Sequence, residues 1–229
     1  MKTLMLLSSL AVAILGSGCS PIPMTRGVAR EPHWQTASNV DCLVWNALPD
    51  PGDSVTWSGA CSEGKAEGFG TKIFRYRDHG QWEEQRYVGE MKHGKNQGQG
   101  TQDDANGVRF DGDWMDGHRL RGTQIQADGI RYIGSFSDDK AAGVGTLVYP
   151  NGAHYDGDFV NGHFEGHGKF TYADGSYYSG DFKQGLPNGY GTLHRSDAQS
   201  ISGSWTNGCL REGTRVAAAG VSKEKCGFR

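Results

Sequence analysis

The chain has no surplus of positive charge and, beyond its first residues, no long apolar run: 23 Lys and Arg stand against 26 Asp and Glu, a net charge of −3 over 229 residues. Nucleic acid is therefore not an expected partner, and global docking to anionic lipid, which needs clustered Lys and Arg, is disfavoured. No Gly-x-Ser-x-Gly elbow is present, and Ser, His and Asp show no spacing that would assemble a nucleophile and its base. The 8 histidines form no cluster with Cys or carboxylates at a recognised ligand spacing. His163 and His167 stand at i and i+4, but that spacing converges on one face only in a helix, and a Gly-x-Gly turn intervenes. Asp111 with Asp113, and Asp156 with Asp158, pair carboxylates along strands, without the further converging groups that calcium binding or acid–base catalysis requires. No catalytic residue, metal or cofactor is expected, and the chain is read as not an enzyme. Prolines are scarce too, at 7, whereas glycines number 36.

Those glycines are periodic. With an aromatic residue as position zero, the template is aromatic, Gly at +2, aromatic at +4, and Gly at +7, +11 and +13. It lies along the chain seven times, starting at Trp57, Tyr87, Phe110, Tyr132, Tyr155, Tyr178 and Ile201, at intervals of 30, 23, 22, 23, 23 and 23 residues. A fixed period in this range means stacked supersecondary units that share one core. Copy four carries Asp139 where a turn glycine is expected. Copies three and seven replace Gly-x-Gly by one glycine a place further on, Gly122 and Gly213, and should turn differently there.

Aromatic, glycine and aromatic at a spacing of two share one face of an extended strand. Glycine weakens a strand, and its recurrence implies close approach of a ring or backbone. A second strand follows each Gly-x-Gly, as in Thr146-Leu147-Val148-Tyr149, and runs into Asn106-Gly107, Asp128-Gly129, Asn151-Gly152 or Asp174-Gly175. Such pairs favour hairpin turns in which both central residues take positive φ. Each repeat is thus read as two antiparallel strands.

This pattern resembles the MORN repeat, over residues 57 to about 214. The resemblance implies an all-β fold, an elongated antiparallel meander of about seven β-hairpin repeats forming a single-layer sheet. At two strands per copy its length is roughly 65 to 70 Å. MORN arrays accompany many activities as docking or membrane-proximal modules, so the resemblance specifies fold more than function.

Met1-Lys2-Thr3, the apolar and small-residue run Leu4 to Leu15, and Gly16-Ser17-Gly18-Cys19 read as a secretory leader too short to span a bilayer. The leader resembles a bacterial lipoprotein signal, which implies cleavage after residue 18 and acylation of Cys19. Gly16 replaces the usual lipobox leucine, and Gly16-x-Gly18 also suits ordinary signal peptidase, which would release a soluble periplasmic or secreted protein. Among Gram-negative lipoproteins Ser20 favours the outer membrane. Residues 19–38 read as a lipid-anchored, flexible tether, 39–56 as an N-terminal capping strand, 57–214 as the array and 215–229 as a C-terminal cap.

Of 5 cysteines, Cys42 with Cys61 and Cys209 with Cys226 form sequence-local pairs, leaving Cys19 for acylation. Export makes disulfides chemically reasonable, and each pair would staple an end of the array.

Three groups of residues are candidate contacts. Position +8 carries Lys65, Lys95, His118, Lys140 and His163, a possible basic ridge for lipid headgroups, glycan acids or an acidic protein, or else simply a solvated turn flank. Acidic residues occupy +3, at Glu90, Asp113, Asp158 and Asp181. The extra residues between copies one and two, 75 to 86, place Tyr76 and Trp82 among charges, as in an interface anchor with a polar rim on a loop, where insertions in repeat arrays fall, or else form simply a longer hairpin without a partner. Phe74, Tyr149 and Tyr172 share position +17, read as rings on the less glycine-rich face. The expected function is a non-enzymatic envelope scaffold that contacts an envelope protein, with cell-wall or carbohydrate binding and direct membrane-lipid binding as alternatives.

Overall fold

The computed structural model describes residues 32–47 and 51–228. The leader, Cys19 and the tether as far as residue 31 lie outside the described residues. Those described form strands and turns with no α-helix, and the chain is all-β. It divides into two compact units, one running to Ala127 and the other from Asp128.

The first unit contains β1 (His33–Thr36), β2 (Leu43–Asn46), β3 (Ser54–Trp57), β4 (Ala60–Ser62), β5 (Lys65–Asp78), β6 (Gln81–Lys92), β7 (Lys95–Asp103), β8 (Arg109–Met115) and β9 (His118–Ile125). From β5 to β9 it is an antiparallel meander. The second unit continues the pattern through β10 (Arg131–Ser137), β11 (Lys140–Val148), β12 (His154–Val160), β13 (His163–Thr171), β14 (Tyr177–Lys183), β15 (Leu186–His194), β16 (Ser200–Thr206), β17 (Cys209–Glu212) and β18 (Arg215–Ala218). The tether expected to extend to residue 38 thus stops before β1, which pairs with β2 from His33 to Thr36.

The register explains the template. Gly134, Gly145, Gly157, Gly168, Gly180, Gly191 and Gly203 face one another in succession across β10 to β16. In the first unit Gly70, Gly89, Gly100, Gly112 and Gly122 form the same line. The aromatic ring at position zero lies along its own strand over this line. Its hydroxyl donates to the carbonyl of residue +3: Tyr87 to Glu90 at 2.8 Å, Tyr132 to Ser135 at 2.8 Å, Tyr155 to Asp158 at 3.1 Å and Tyr178 to Asp181 at 3.2 Å. A Cβ built on Gly157 would stand 2.5 Å from the Tyr155 hydroxyl and 2.7 Å from Gly168 Cα. Only glycine leaves room for the ring. The rings are core, with Tyr87, Tyr132, Tyr155 and Tyr178 at 0–1% exposure.

The +4 ring wedges edge-on between two zero rings. Phe159 meets Tyr155 at 5.2 Å and Tyr132 at 4.9 Å, with interplanar angles of 86° and 74°, the edge-to-face geometry that ring quadrupoles favour. Where +4 is tryptophan, its indole N–H also donates to a line glycine's carbonyl, Trp114 to Gly100 at 3.1 Å and Trp205 to Gly191 at 3.0 Å. Phe74, Tyr149 and Tyr172 do not occupy the opposite face. Tyr149 and Tyr172 flank Phe170, at 6.1 and 4.8 Å, because +17 has the same parity as the +13 glycine.

Each copy turns tightly at +6 and +7, as at Asn161-Gly162, where both residues take positive φ, 51° and 82°, between paired Val160 and His163. Copy four makes the same turn with Asp138 and Asp139 at φ 48° and 59°. The Asn-Gly and Asp-Gly sites are different. Only their second residue has positive φ, Gly107, Gly129, Gly152 and Gly175 at 80–86°, and those at Gly107, Gly152 and Gly175 make three-residue loops, closed by Asp104 with Val108, Tyr149 with Ala153 and Tyr172 with Ser176. The Asn or Asp is selected because its side chain accepts the N–H two residues on, Asn151 from Ala153 at 3.0 Å and Asp174 from Ser176 at 3.0 Å.

Gly-x-Gly is a bulge. Gly157 faces Gly168 while Asp158 faces Glu165, so Gly166 and His167 are extruded, with Gly166 at φ 61°. Copy three differs as expected: Asp113 faces Arg121 and Trp114 faces Arg119, leaving Leu120 as the single extra residue. In copy seven, Gly213 begins the turn between Glu212 and Arg215.

Candidate interaction surface

The residues between copies one and two form no loop. They lengthen one hairpin, in which β5 and β6 stay paired from Arg75↔Glu84 through Arg77↔Trp82 to Asp78↔Gln81, closed by His79 and Gly80 at φ 47° and 80°. β3 pairs with β5 only as far as Arg75, and β7 with β6 only from Arg86 onward, so the hairpin runs past both neighbouring strands as an arm. Trp82 is 51% exposed and stacks under the Arg77 guanidinium at 4.7 Å. Tyr76 is not an exposed contact. It is 6% exposed and stacked on Phe74 at 5.7 Å, because its parity along β5 matches that of the core rings. Burial, with help from nearby carboxylates led by Asp104, raises its hydroxyl to about 12.

The +8 residues each open the second strand of a copy, and the structure gives them different surroundings. Lys65 lies over the Trp34 ring at 4.6 Å and Lys95 over Trp45 at 5.2 Å. Those two indoles meet edge-on at 5.1 Å. They come from β1 and β2, a hairpin laid along the turns of copies one and two: Leu43 N–H donates to the Gly64 carbonyl at 2.8 Å and Trp45 N–H to that of Gly94 at 2.9 Å. His118, Lys140 and His163 are exposed. The roles of Trp34 and Trp45 were missed in the sequence, where Trp34 falls within the expected tether.

Carboxylates at +3 brace the bulges instead of forming a free acidic row. Asp158 accepts the His167 N–H at 3.3 Å, Asp181 accepts that of Tyr190 at 2.9 Å, and the Gln99 amide donates to Asp113. Asp111 and Asp156 accept from Thr101 and Thr146 on the adjacent strand, at 3.0 and 2.7 Å. The bulge residue at +12 projects outward, leaving Phe69, Val144 and Tyr190 at 70%, 74% and 66% exposure.

The glycine-and-ring face differs between units. In the second, one register row reads Tyr132, Leu147, Tyr155, Phe170, Tyr178, Leu193 and Ile201. The same row in the first reads Lys72, Tyr87, Gln102, Phe110 and Gln124. Polar side chains thus occupy the places of Leu and Phe. The Lys72 ammonium donates to Asn96 Oδ1 at 2.8 Å and lies over the Tyr87 ring at 5.4 Å. Burial lowers it to about 8, opposed by the attraction of Asp104. Asp104 accepts from Gln85 and Gln102 at 2.6 and 2.9 Å, and burial holds its carboxyl above the usual range in spite of these bonds. Arg119 donates to Gln124 Oε1 at 2.7 Å. These polar groups are held in separate hydrogen-bonded sets, with Gln124 Nε2 buried and without a hydrogen-bond partner, and none was singled out in the sequence, where each departs from the template without a motif of its own.

Cys42 and Cys61 come within disulfide distance at Cα–Cα 5.8 Å, as do Cys209 and Cys226 at 5.5 Å. The first pair joins the segment before β2 to β4, and the second joins β17 to the turn beyond β18. His167 contacts Asp181 at 2.9 Å. Among the described residues, no three His, Cys, Asp or Glu side chains are grouped as metal ligands.

The geometry defines a class, an array of glycine-lined β-hairpin repeats whose rings pack along their own strands. Within it, residues 87–109, 132–154, 155–177 and 178–198 match the MORN repeat family model. These are copies two, four, five and six, so four of the seven copies are similar to the MORN repeat. No curated protein matches the chain.

Proposed function

We propose that the chain is a Gram-negative envelope lipoprotein, held in the outer membrane through Cys19 and facing the periplasm, whose repeat array is a non-enzymatic module for contact with another envelope protein. The observation that carries this reading is the arm. Nearly every other conspicuous residue is engaged in the repeat's own packing, whereas β5 and β6 run beyond their neighbours and leave Trp82 exposed. An aromatic residue at the end of a paired hairpin, ringed by Arg75, Arg77, Glu83 and Glu84, has the composition of an interface anchor with a polar rim. Export favours the two cysteine pairs, and acylation uses the fifth cysteine. Cys19→Ser is expected to move the protein from the membrane to the soluble periplasmic fraction. Membrane association unchanged by that substitution would remove the anchor.

A second reading, binding to cell-wall carbohydrate, draws on the exposed Phe69 and Tyr190 rings at the bulges, since flat rings stack on sugars. Pull-down with purified peptidoglycan separates the two. Saturable retention lost in Tyr190→Ala favours the carbohydrate reading, and no saturable retention favours the protein partner.

A further inference from the structure

The second cysteine pair lines an open cleft. Cys209 and Cys226, both half-buried, border a cavity of about 700 Å³ with the apolar Leu186 and Val221 and the exposed Arg211 and Lys225. Among the described residues no carboxylate lines it, and neither cation is in an ion pair. Arg211 stands two residues from Cys209 on one face of β17. Its guanidinium donates to the Gly227 carbonyl at 3.4 Å and lies over the Phe228 ring at 5.1 Å, beside the residue that follows Cys226. Lys225 precedes Cys226 in a turn held by the Cys226 and Phe228 N–H groups, both donating to the Lys223 carbonyl at 3.0 Å. The first pair is placed differently. Cys42 is fully buried, Asp41 adjoins it, and Glu63 lies two residues from Cys61. Cations beside a disulfide attract an incoming thiolate and stabilise the departing one, and both effects speed exchange where the sulfur is accessible.

We infer that Cys209–Cys226 is a thiol-exchange site that takes a small anionic thiol, whose carboxylates pair with Arg211 and Lys225 in the cleft. The thiol, having given its proton to solvent, attacks Cys226 Sγ as a thiolate. A bond forms between its sulfur and Cys226 Sγ, and the bond between Cys226 and Cys209 breaks. The electron pair of the broken bond leaves on Cys209 Sγ as a thiolate, on the face of β17 that carries Arg211. The incoming sulfur is oxidised and Cys209 is reduced, so the step needs no further oxidant or reductant. Cys226 is thus a site of modification by mixed disulfide, whereas Cys42–Cys61 remains a staple. The site stands apart from the arm and from any partner the arm contacts.

The test treats the oxidised full chain carrying Cys19→Ser with reduced glutathione, an anionic thiol, under native conditions, with acid quenching and peptide mass spectrometry. One glutathione per chain is expected on Cys226, with Cys209 free to alkylate and Cys42 still joined to Cys61. Cysteamine, a cationic thiol, supplies the comparison. When the chain carries Arg211→Gln with Lys225→Gln, the ratio of the glutathione rate to the cysteamine rate should fall about 2- to 30-fold, the range for two exposed ion pairs. Arg211→Lys with Lys225→Arg, which keeps both charges, should keep the ratio of the parent. Both positions are exposed, and an unchanged circular dichroism spectrum confirms the fold. Four alkylatable cysteines before any thiol is added would overturn the inference, as would no adduct at a glutathione concentration that modifies the urea-unfolded chain. An adduct formed as fast on Cys42 or Cys61, an adduct mainly on Cys209, or a rate ratio indifferent to the glutamine variants overturns it as well.

Discussion

Gly157→Ala tests why the repeat needs glycine. Gly157 is not among the residues with positive φ, so the obstruction is space and not backbone strain. The added Cβ would meet the Tyr155 hydroxyl at 2.5 Å and both Gly168 Cα and the His167 carbonyl at 2.7 Å, where ordinary contact begins near 3.4 Å. The ring cannot lift freely, because it is fully buried and stacked on Phe164 at 3.8 Å. Moving it breaks the bond to the Asp158 carbonyl, worth about 1 kcal/mol, and adds overpacking of about 1–3 kcal/mol. Removing a flexible glycine from a strand returns about 0.5–1 kcal/mol. The net loss expected in urea unfolding is about 2 kcal/mol. Tyr155→Phe removes the nearest obstructing atom, so Gly157→Ala should cost about 1 kcal/mol less in that background, a coupling readable from a double-mutant cycle. A cost within about 0.5 kcal/mol of zero, typical of an uncoupled surface change, would refute the ring-over-glycine account. So would the same cost in both backgrounds.

Three further outcomes follow from other sites. Asp197-Ala198 occupies the place of Asp174-Gly175 but forces alanine to φ 64°, so Ala198→Gly should raise stability by about 1 kcal/mol, readable as a higher urea midpoint. Lys72 holds its proton to about 8 when folded, against 10.5 for the ordinary side chain. The unfolded chain therefore binds more protons between those values, and this group's contribution to stability rises with pH from about 8. Above about 10 the buried tyrosines oppose it, because they ionise first in the unfolded chain. Lys72→Met should remove the rise between about pH 8 and 10, measured as urea midpoints at the two ends of that window. Cys209→Ala with Cys226→Ala should cost about 3 kcal/mol by loop-closure entropy, checked against the oxidised parent by thermal unfolding.

The period, the core face and the departures of copies three and seven, a one-residue bulge in the first and a turn in the second, were legible because the template fixes parity, and parity fixes which side chains meet. The ring lying along its own strand was not, since the sequence places Tyr155 and Gly157 on one face without saying which fills the gap. The turns at the +7 glycine were legible, but not that they are the ones with two positive φ values. Their first residue varies through Glu63, His93, Asp116, Asp138, Asn161, Gln184 and Asn207, all at φ near 50°, whereas the conspicuous Asn151-Gly152 follows Pro150, whose fixed φ suits the start of a type I turn. For the candidate surface, Trp82 was legible as an exposed aromatic in an insertion. Tyr76 was misplaced because an insertion read as a loop has no parity, and once it became paired strand the alternation buried Tyr76. Trp34, lying before the first copy, carried no periodic signal to mark it as part of a docked hairpin.

The central claim is that the array is a contact module that works through its arm. A photo-crosslinking phenylalanine analogue in place of Trp82, used in cells, tests it most directly. The account predicts one dominant crosslinked envelope protein, lost when the same probe is moved to the buried Tyr87 position. Crosslinks absent from Trp82, or equally abundant from both positions, would contradict it.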